Sequence, residues 1–60
     1  MEYNIEINWL KNDICVSVNH DGKCIFDYMV NSMDEVEILV DELCDMIEHF
    51  NGTPVVVDKL

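Results

Sequence analysis

The sequence predicts a small two-layer α+β domain, built from a three-stranded antiparallel meander, one helix and a short C-terminal strand in the order βββαβ. Apolar and polar residues alternate in residues 3–9 and again in residues 14–18, which is typical of half-buried strands. Through residues 32–50 the apolar residues instead recur at steps of three and four, which indicates an amphipathic helix. A last apolar run, residues 55–57, follows a helix stop signal and predicts the fourth strand.

The first hairpin is predicted by two alternating segments, residues 3–9 and 14–18. Between them, Asn12 and Asp13 are of types that tolerate positive φ, so they predict a two-residue turn. That register sets Trp9 opposite Val16 and gathers the apolar residues of both strands on one face.

The second turn has the sequence His-Asp-Gly-Lys at residues 20–23, which commonly forms a two-residue Asp-Gly hairpin. In that register Phe26 and Tyr28 would fall on the polar face, because a slip of one residue reverses every side chain. A three-residue loop that carries a left-handed glycine in a bulge instead pairs Val16 with Phe26. We therefore predict the bulged loop, with Cys24 pointing into the core.

The helix has local signals at both ends. Ser32 and Glu35 form a capping box, in which each side chain accepts a hydrogen bond from a free backbone amide. Asn51-Gly52, followed by Pro54, predicts its end. The apolar positions of the helix are Val36, Leu39, Val40, Leu43, Met46, Ile47 and Phe50. We expect this stripe to cover the apolar face of the sheet, and the proline to confine the fourth strand to a sheet edge or strand start.

Composition and charge narrow the possible partners. The chain has 60 residues, which predicts one domain over residues 1–60, and a chain of this size buries only about 60% of its unfolded surface. We therefore expect a partner, or a second copy in a homodimer, to add stability. Thirteen acidic residues against three lysines give a formal net charge of −10. This charge disfavours direct binding to nucleic acid or to an anionic membrane and favours a basic protein.

No feature of the sequence predicts catalysis, a metal or a cofactor. The cysteines Cys15, Cys24 and Cys44 are odd in number and form no Cys-x-x-Cys motif, which fits reduced thiols in a cytosolic protein. Zinc sites need closely spaced ligand pairs, which the sequence lacks. The first residues lack the basic start and apolar run of a secretory signal. We expect a non-enzymatic protein of the cytoplasm, or of the host cytoplasm if it is viral.

A row of carboxylates along the predicted helix is the most specific functional feature. Its members follow one another at steps of three or four residues: Asp34, Glu37, Asp41, Asp45 and Glu48. At about 1.5 Å of rise per residue, successive members lie roughly 4.5 to 6 Å apart along the helix and the row spans about 21 Å. Like charges at this spacing destabilise a helix, which suggests another role for them. Ile38, predicted to be exposed, and Glu42 complete the predicted partner-binding set.

The spacing of these carboxylates is comparable to that of phosphates along a nucleic-acid strand, about 7 Å. Such a helix can occupy a groove lined with lysine and arginine and release similar counterions. We therefore expect an inhibitor that mimics nucleic acid and blocks a basic nucleic-acid-binding protein or nuclease. In size, charge and use of carboxylates it resembles the small acidic inhibitors, anti-CRISPR proteins among them, that viruses and mobile elements direct against host nucleases.

The open face of the sheet offers an alternative binding surface. The βββαβ order, with a capped helix after the third strand, is similar to the partially degraded ribonuclease-H-like domain of HicB-type antitoxins. That resemblance implies an antitoxin or scaffold module that binds a protein partner through the uncovered sheet face. The residues predicted for this surface are Ile25, Asp27 and Met29 on the third strand.

Overall fold

The computed structural model describes residues 1–59. Its elements are β1 (Glu2–Trp9), β2 (Ile14–His20), β3 (Lys23–Val30), α1 (Met33–His49) and β4 (Thr53–Lys59). The four strands form one mixed sheet in the order β3-β2-β1-β4, in which β4 runs parallel to β1 and the other pairs are antiparallel. The chain therefore leaves one sheet edge at β3, crosses over through α1 and adds β4 at the opposite edge. The predicted α+β class and the βββαβ order are confirmed.

The core lies between α1 and one face of the sheet, as the two hydrophobic periodicities predict. Its fully or nearly buried members are Ile5, Ile7, Ile14, Val16 and Val18 from the sheet and Val36, Leu43 and Ile47 from the helix. Burying one such side chain contributes about 1.5–3 kcal/mol relative to leaving it in water. The apolar contact between these two surfaces is what holds the helix on the sheet.

The first hairpin differs from its predicted register by two residues. Trp9 pairs with Ile14, and Ile7 pairs with Val16. The loop therefore contains four residues, 10–13, and the amide of Leu10 donates to the carbonyl of Asp13 at 2.9 Å. The predicted two-residue turn at residues 12–13 is wrong, but the apolar face is unchanged because side chains in a strand alternate with a period of two.

The second hairpin has a two-residue turn, so the predicted three-residue loop is wrong. Asp21 and Gly22 both have positive φ, at 52° and 76°, and His20 pairs with Lys23. Two consecutive residues with positive φ are the requirement of a type I′ turn, and Asp-Gly is among the sequences that meet it most readily. The local turn preference therefore prevails over the alternation pattern at this point.

The alternation is restored by a bulge within β3 rather than in the turn. Val18 pairs with Phe26 whereas the next residue, Asn19, pairs with Cys24, so Ile25 is the extra residue. One extra residue reverses the faces of everything that follows it. As predicted, Phe26 thereby shares a face with the core residues of β2. Cys24 lies before the bulge and is exposed, which corrects its predicted place in the core.

Both ends of α1 agree with their local signals. The Ser32 hydroxyl accepts from the amide of Glu35 at 3.2 Å, while the Glu35 carboxylate accepts from the amide of Asn31 at 3.3 Å, one residue earlier than in a standard capping box. Asn51 has a φ of 61°, and the amide of Gly52 donates to the carbonyl of Ile47 at 2.9 Å. The left-handed residue closes the helix and turns the chain toward β4.

The helix packs on β4, β1 and β2, and it leaves β3 largely uncovered. Phe26 and Tyr28, which were predicted to lie under the helix, are 37% and 40% exposed and stack on each other with ring centroids 6.4 Å apart. Phe50, at the end of the predicted apolar stripe, is also exposed. The edge strand β3 therefore presents apolar side chains on both of its faces.

Candidate partner-binding surface

The predicted row of carboxylates forms an exposed ridge on α1. We call it the acidic ridge, and its members are Asp34, Glu37, Asp41, Asp45 and Glu48. Within residues 1–59 the lysine–carboxylate ion pair is Lys59–Glu6, at 3.0 Å, and Nε2 of His20 lies 3.4 Å from Oδ2 of Asp21. No carboxylate of the ridge thus has a cationic partner in this part of the chain, and all five face solvent with their charge uncompensated.

The thiol of Cys44 responds to the negative charge of the ridge. Cys44 is half-buried on the flank of α1, and burial raises the pKa of its thiol. The carboxylates of Glu48, Asp41 and Asp45 raise this pKa further, because a negative neighbour disfavours the thiolate. The protonated form of a thiol is a poorer nucleophile and a poorer metal ligand than the thiolate.

A cavity of about 340 Å³ lies at the foot of the ridge, between the first half of α1 and the strands β1 and β4. Its apolar walls are Ile7, Trp9, Met33, Val36 and Val40, and its acidic rim is Glu37, Asp41 and Asp58. The indole nitrogen of Trp9 donates to Oδ1 of Asp58 at 2.5 Å. We call this the Trp9 cavity.

Sequence reasoning assigned no functional role to Trp9 or Asp58. The parallel pairing of β4 with β1 sets Asp58 beside Ile7, and this pairing brings the carboxylate to the indole and to the first half of the ridge. The sequence signal available was an acidic residue at the end of an apolar strand, which by itself does not identify a neighbour. Only the placement of β4 next to β1 reveals the contact.

On the other side of α1 a shallow groove of about 260 Å³ separates the helix from β3, and we call it the β3 groove. It is lined by Tyr28, Met29, Val30, Glu35, Ile38, Leu39 and Glu42. Ile38 is 60% exposed, as predicted. The groove brings Ile38 and Glu42, which were predicted beside the acidic row, next to Met29, which was predicted as part of the alternative sheet surface.

The alternative surface lies on β3 and is exposed. Ile25 and Met29 are 43% and 58% exposed, and Asp27 between them is exposed as well. On β1 and β2 the open face is mostly polar and half-buried, apart from Ser17, which is 8% exposed, whereas β4 adds the half-buried Val55 and Val57 at the opposite edge. The apolar side chains of this face are therefore most exposed along β3.

The His20 ring is held by contacts with neighbouring residues. His20 stacks on Tyr3 with ring centroids 4.1 Å apart, and its Nδ1 lies 3.0 Å from the Glu2 carbonyl.

In residues 1–59 no three His, Cys, Asp or Glu side chains come together in a way that would hold a metal ion. Over the same residues, the one helix is too short and too acidic to cross a membrane.

A scan against protein-family models found no match, and searches of curated proteins and of solved structures found none either. The interpretation of the surface therefore depends on its geometry and charge.

Proposed function

We propose that this protein is a non-enzymatic inhibitor that binds a basic nucleic-acid-binding protein, such as a nuclease, in place of its nucleic acid. The observation that carries this proposal is the acidic ridge, in which the carboxylates are exposed along one line of α1 and paired with no lysine among residues 1–59. A phage or mobile-element protein directed against a host nuclease, as anti-CRISPR proteins are, is the class we favour.

The ridge matches the demands of a groove that binds phosphates. A basic groove gains affinity from nucleic acid mainly by releasing the counterions that surround the phosphates. Carboxylates held by a helix at roughly 4.5 to 6 Å intervals over about 21 Å present a comparable linear charge. Because a capped, packed helix is already ordered, its charges lose little conformational freedom on binding, which favours affinity.

The charge of the molecule supports a protein partner. The three lysines, Lys11, Lys23 and Lys59, belong to the first loop, the start of β3 and the end of β4, and they form no cluster that would hold a nucleic-acid strand. Ile38 supplies an exposed apolar contact close to the charged residues, and that arrangement is common where proteins bind proteins.

Affinity capture with charge-reversed variants tests the proposal. Immobilised protein should retain basic nucleic-acid-binding proteins from a host lysate at low salt, and salt or duplex DNA should release them. The double variant Asp41→Lys/Asp45→Lys should lose these proteins. The control Glu2→Lys/Asp13→Lys changes the net charge equally at exposed positions away from α1 and should retain them. Equal retention by both variants, or equal loss, would contradict a binding role for the ridge.

A second candidate function is favoured by the exposure of β3. The edge strand has apolar side chains on both faces, including Ile25 and Met29, and such a surface can pack on a partner protein. This is the HicB-like antitoxin or scaffold module, acting through the open sheet face. In the same capture experiment Ile25→Ser/Met29→Ser would lose the retained protein while the ridge variant keeps it.

A further inference from the structure

We infer that the Trp9 cavity is a receptor for one arginine side chain of the partner, with the guanidinium group held between the indole of Trp9 and the carboxylates of the rim. The inference rests on the proposed function only for the source of the arginine, because the cavity itself belongs to this chain. It names an anchor point that the acidic ridge alone does not provide.

The shape of the cavity fits a single long side chain. Its volume of about 340 Å³ lies near the lower end of the range for ligand pockets, about 300–1,000 Å³. Ile7, Val36 and Val40 supply aliphatic walls against which the methylene stem of an arginine can pack while its charged head stays at the rim.

The negative charge of the rim indicates that the end group of the bound side chain is cationic. Glu37 and Asp41 come from α1 and Asp58 comes from β4, so the carboxylates approach the cavity from two elements. Lys59, the residue after Asp58, pairs with Glu6 at 3.0 Å and so is engaged away from the rim. Oδ1 of Asp58 accepts from the Trp9 indole, which fixes the carboxylate and leaves Oδ2 to accept from a ligand.

The aromatic wall favours arginine over lysine. Indole attracts cations more strongly than the other aromatic side chains. A planar guanidinium stacks on such a ring and still directs its donors to carboxylates in the same plane, whereas the ammonium of lysine is compact and more strongly hydrated. Bidentate pairs of guanidinium with carboxylate are also among the stronger charge-assisted hydrogen bonds.

Trp9 makes the inference testable on the isolated protein, because it is the only tryptophan of the chain. We expect N-acetyl-arginine amide, titrated at constant ionic strength, to change the Trp9 fluorescence and the indole N–H resonance saturably. N-acetyl-lysine amide should bind more weakly. N-acetyl-norleucine amide, which keeps the aliphatic stem without the charge, should produce no saturable change.

Two variants examine the rim. Asp58→Asn keeps an acceptor for the Trp9 indole but loses the charge, and Glu37→Gln removes a charge on the helix side. Each should weaken binding of the arginine amide about tenfold, as expected for one charge-assisted hydrogen bond. Glu2→Gln is the control, since Glu2 is exposed, lies outside α1 and does not line this cavity, and the affinity of this variant should equal that of the parent protein.

A response that does not saturate, an equal response to the norleucine amide, or equal affinities of Asp58→Asn, Glu37→Gln and Glu2→Gln would overturn the inference. Its failure is distinguishable from that of the proposed function. The titration measures the cavity without any partner, whereas capture repeated with Asp45→Lys/Glu48→Lys measures the ridge at two residues that do not line the cavity. Arginine binding together with unchanged capture would retain the cavity and reject the ridge.

Discussion

At the scale of single residues, the pKa of the Cys44 thiol depends on the negative charge of the ridge. Burial and the carboxylates of Glu48, Asp41 and Asp45 raise the pKa of its thiol from the ordinary value of 9.0. Because the folded state holds this proton more tightly than the unfolded state, the thiol contributes stability below about pH 9. That contribution is lost as the pH rises through the raised pKa, since the thiolate then forms in both states.

We expect Cys44 to react with iodoacetamide faster when a neighbouring charge is removed. The thiolate is the reactive form, so lowering the pKa in Asp45→Asn or Glu48→Gln increases its fraction at pH 8. Mass spectrometry of modified peptides over time would give the rate at this residue. Glu2→Gln serves as the control, and an Asp45→Asn rate no faster than the Glu2→Gln rate would contradict the expectation.

At the scale of elements, the junction between α1 and β4 depends on a glycine that has no room for a side chain. A Cβ placed on Gly52 would lie 2.6 Å from Cε1 of Tyr3 and 2.9 Å from Cγ2 of Ile47. The Tyr3 ring is itself held by its stack on His20, so it cannot easily withdraw. Close packing at this point ties the start of β1 to the end of the helix.

Gly52→Ala should therefore destabilise the fold by about 1–3 kcal/mol, the usual cost of overpacking. Urea unfolding followed by circular dichroism measures this change. The same substitution in a Tyr3→Leu background should cost less, because the ring is the nearest obstacle. An equal cost in both backgrounds would show that the clash with the ring is not the cause.

The elements also show which local signals are reliable. The ends of α1 follow from Ser32, Asn51 and Gly52, because capping is a contact between near neighbours in the chain. The two hairpin registers were predicted wrongly. In the second hairpin one extra residue is needed to place Phe26 on the apolar face. The prediction put this residue in the turn, whereas the structure has it at Ile25 within β3. Alternation identifies the face of a side chain, whereas several combinations of turn and bulge give the same face.

At the scale of the whole molecule, a formal net charge of −10 opposes folding through self-repulsion. Salt screens this repulsion, with a Debye length of about 10 Å at 0.1 M. We expect added NaCl to raise the free energy of unfolding by about 1 kcal/mol, since each like-charged pair along the helix costs a few tenths. Urea titrations at low and high NaCl would measure the change.

The variant Asp41→Asn/Asp45→Asn measures how much of this destabilising repulsion comes from the ridge. It should be more stable than the parent protein at low salt and should gain less from NaCl. A parent protein whose stability falls with NaCl would contradict the expected self-repulsion, and a variant with the same salt dependence as the parent would place the repulsion elsewhere than in the ridge.

The sequence by itself determined the order of the elements, the ends of the helix, the apolar face of the sheet and the exposure of the acidic row. These features depend on periodicity and on contacts between near neighbours. The tertiary structure decided the hairpin registers, the placement of α1 away from β3, and the parallel addition of β4 beside β1. That last pairing joins Trp9 to Asp58 across 49 positions of sequence. A contact between residues so far apart leaves no periodic trace, because it depends on which strands become neighbours when the helix crosses the sheet.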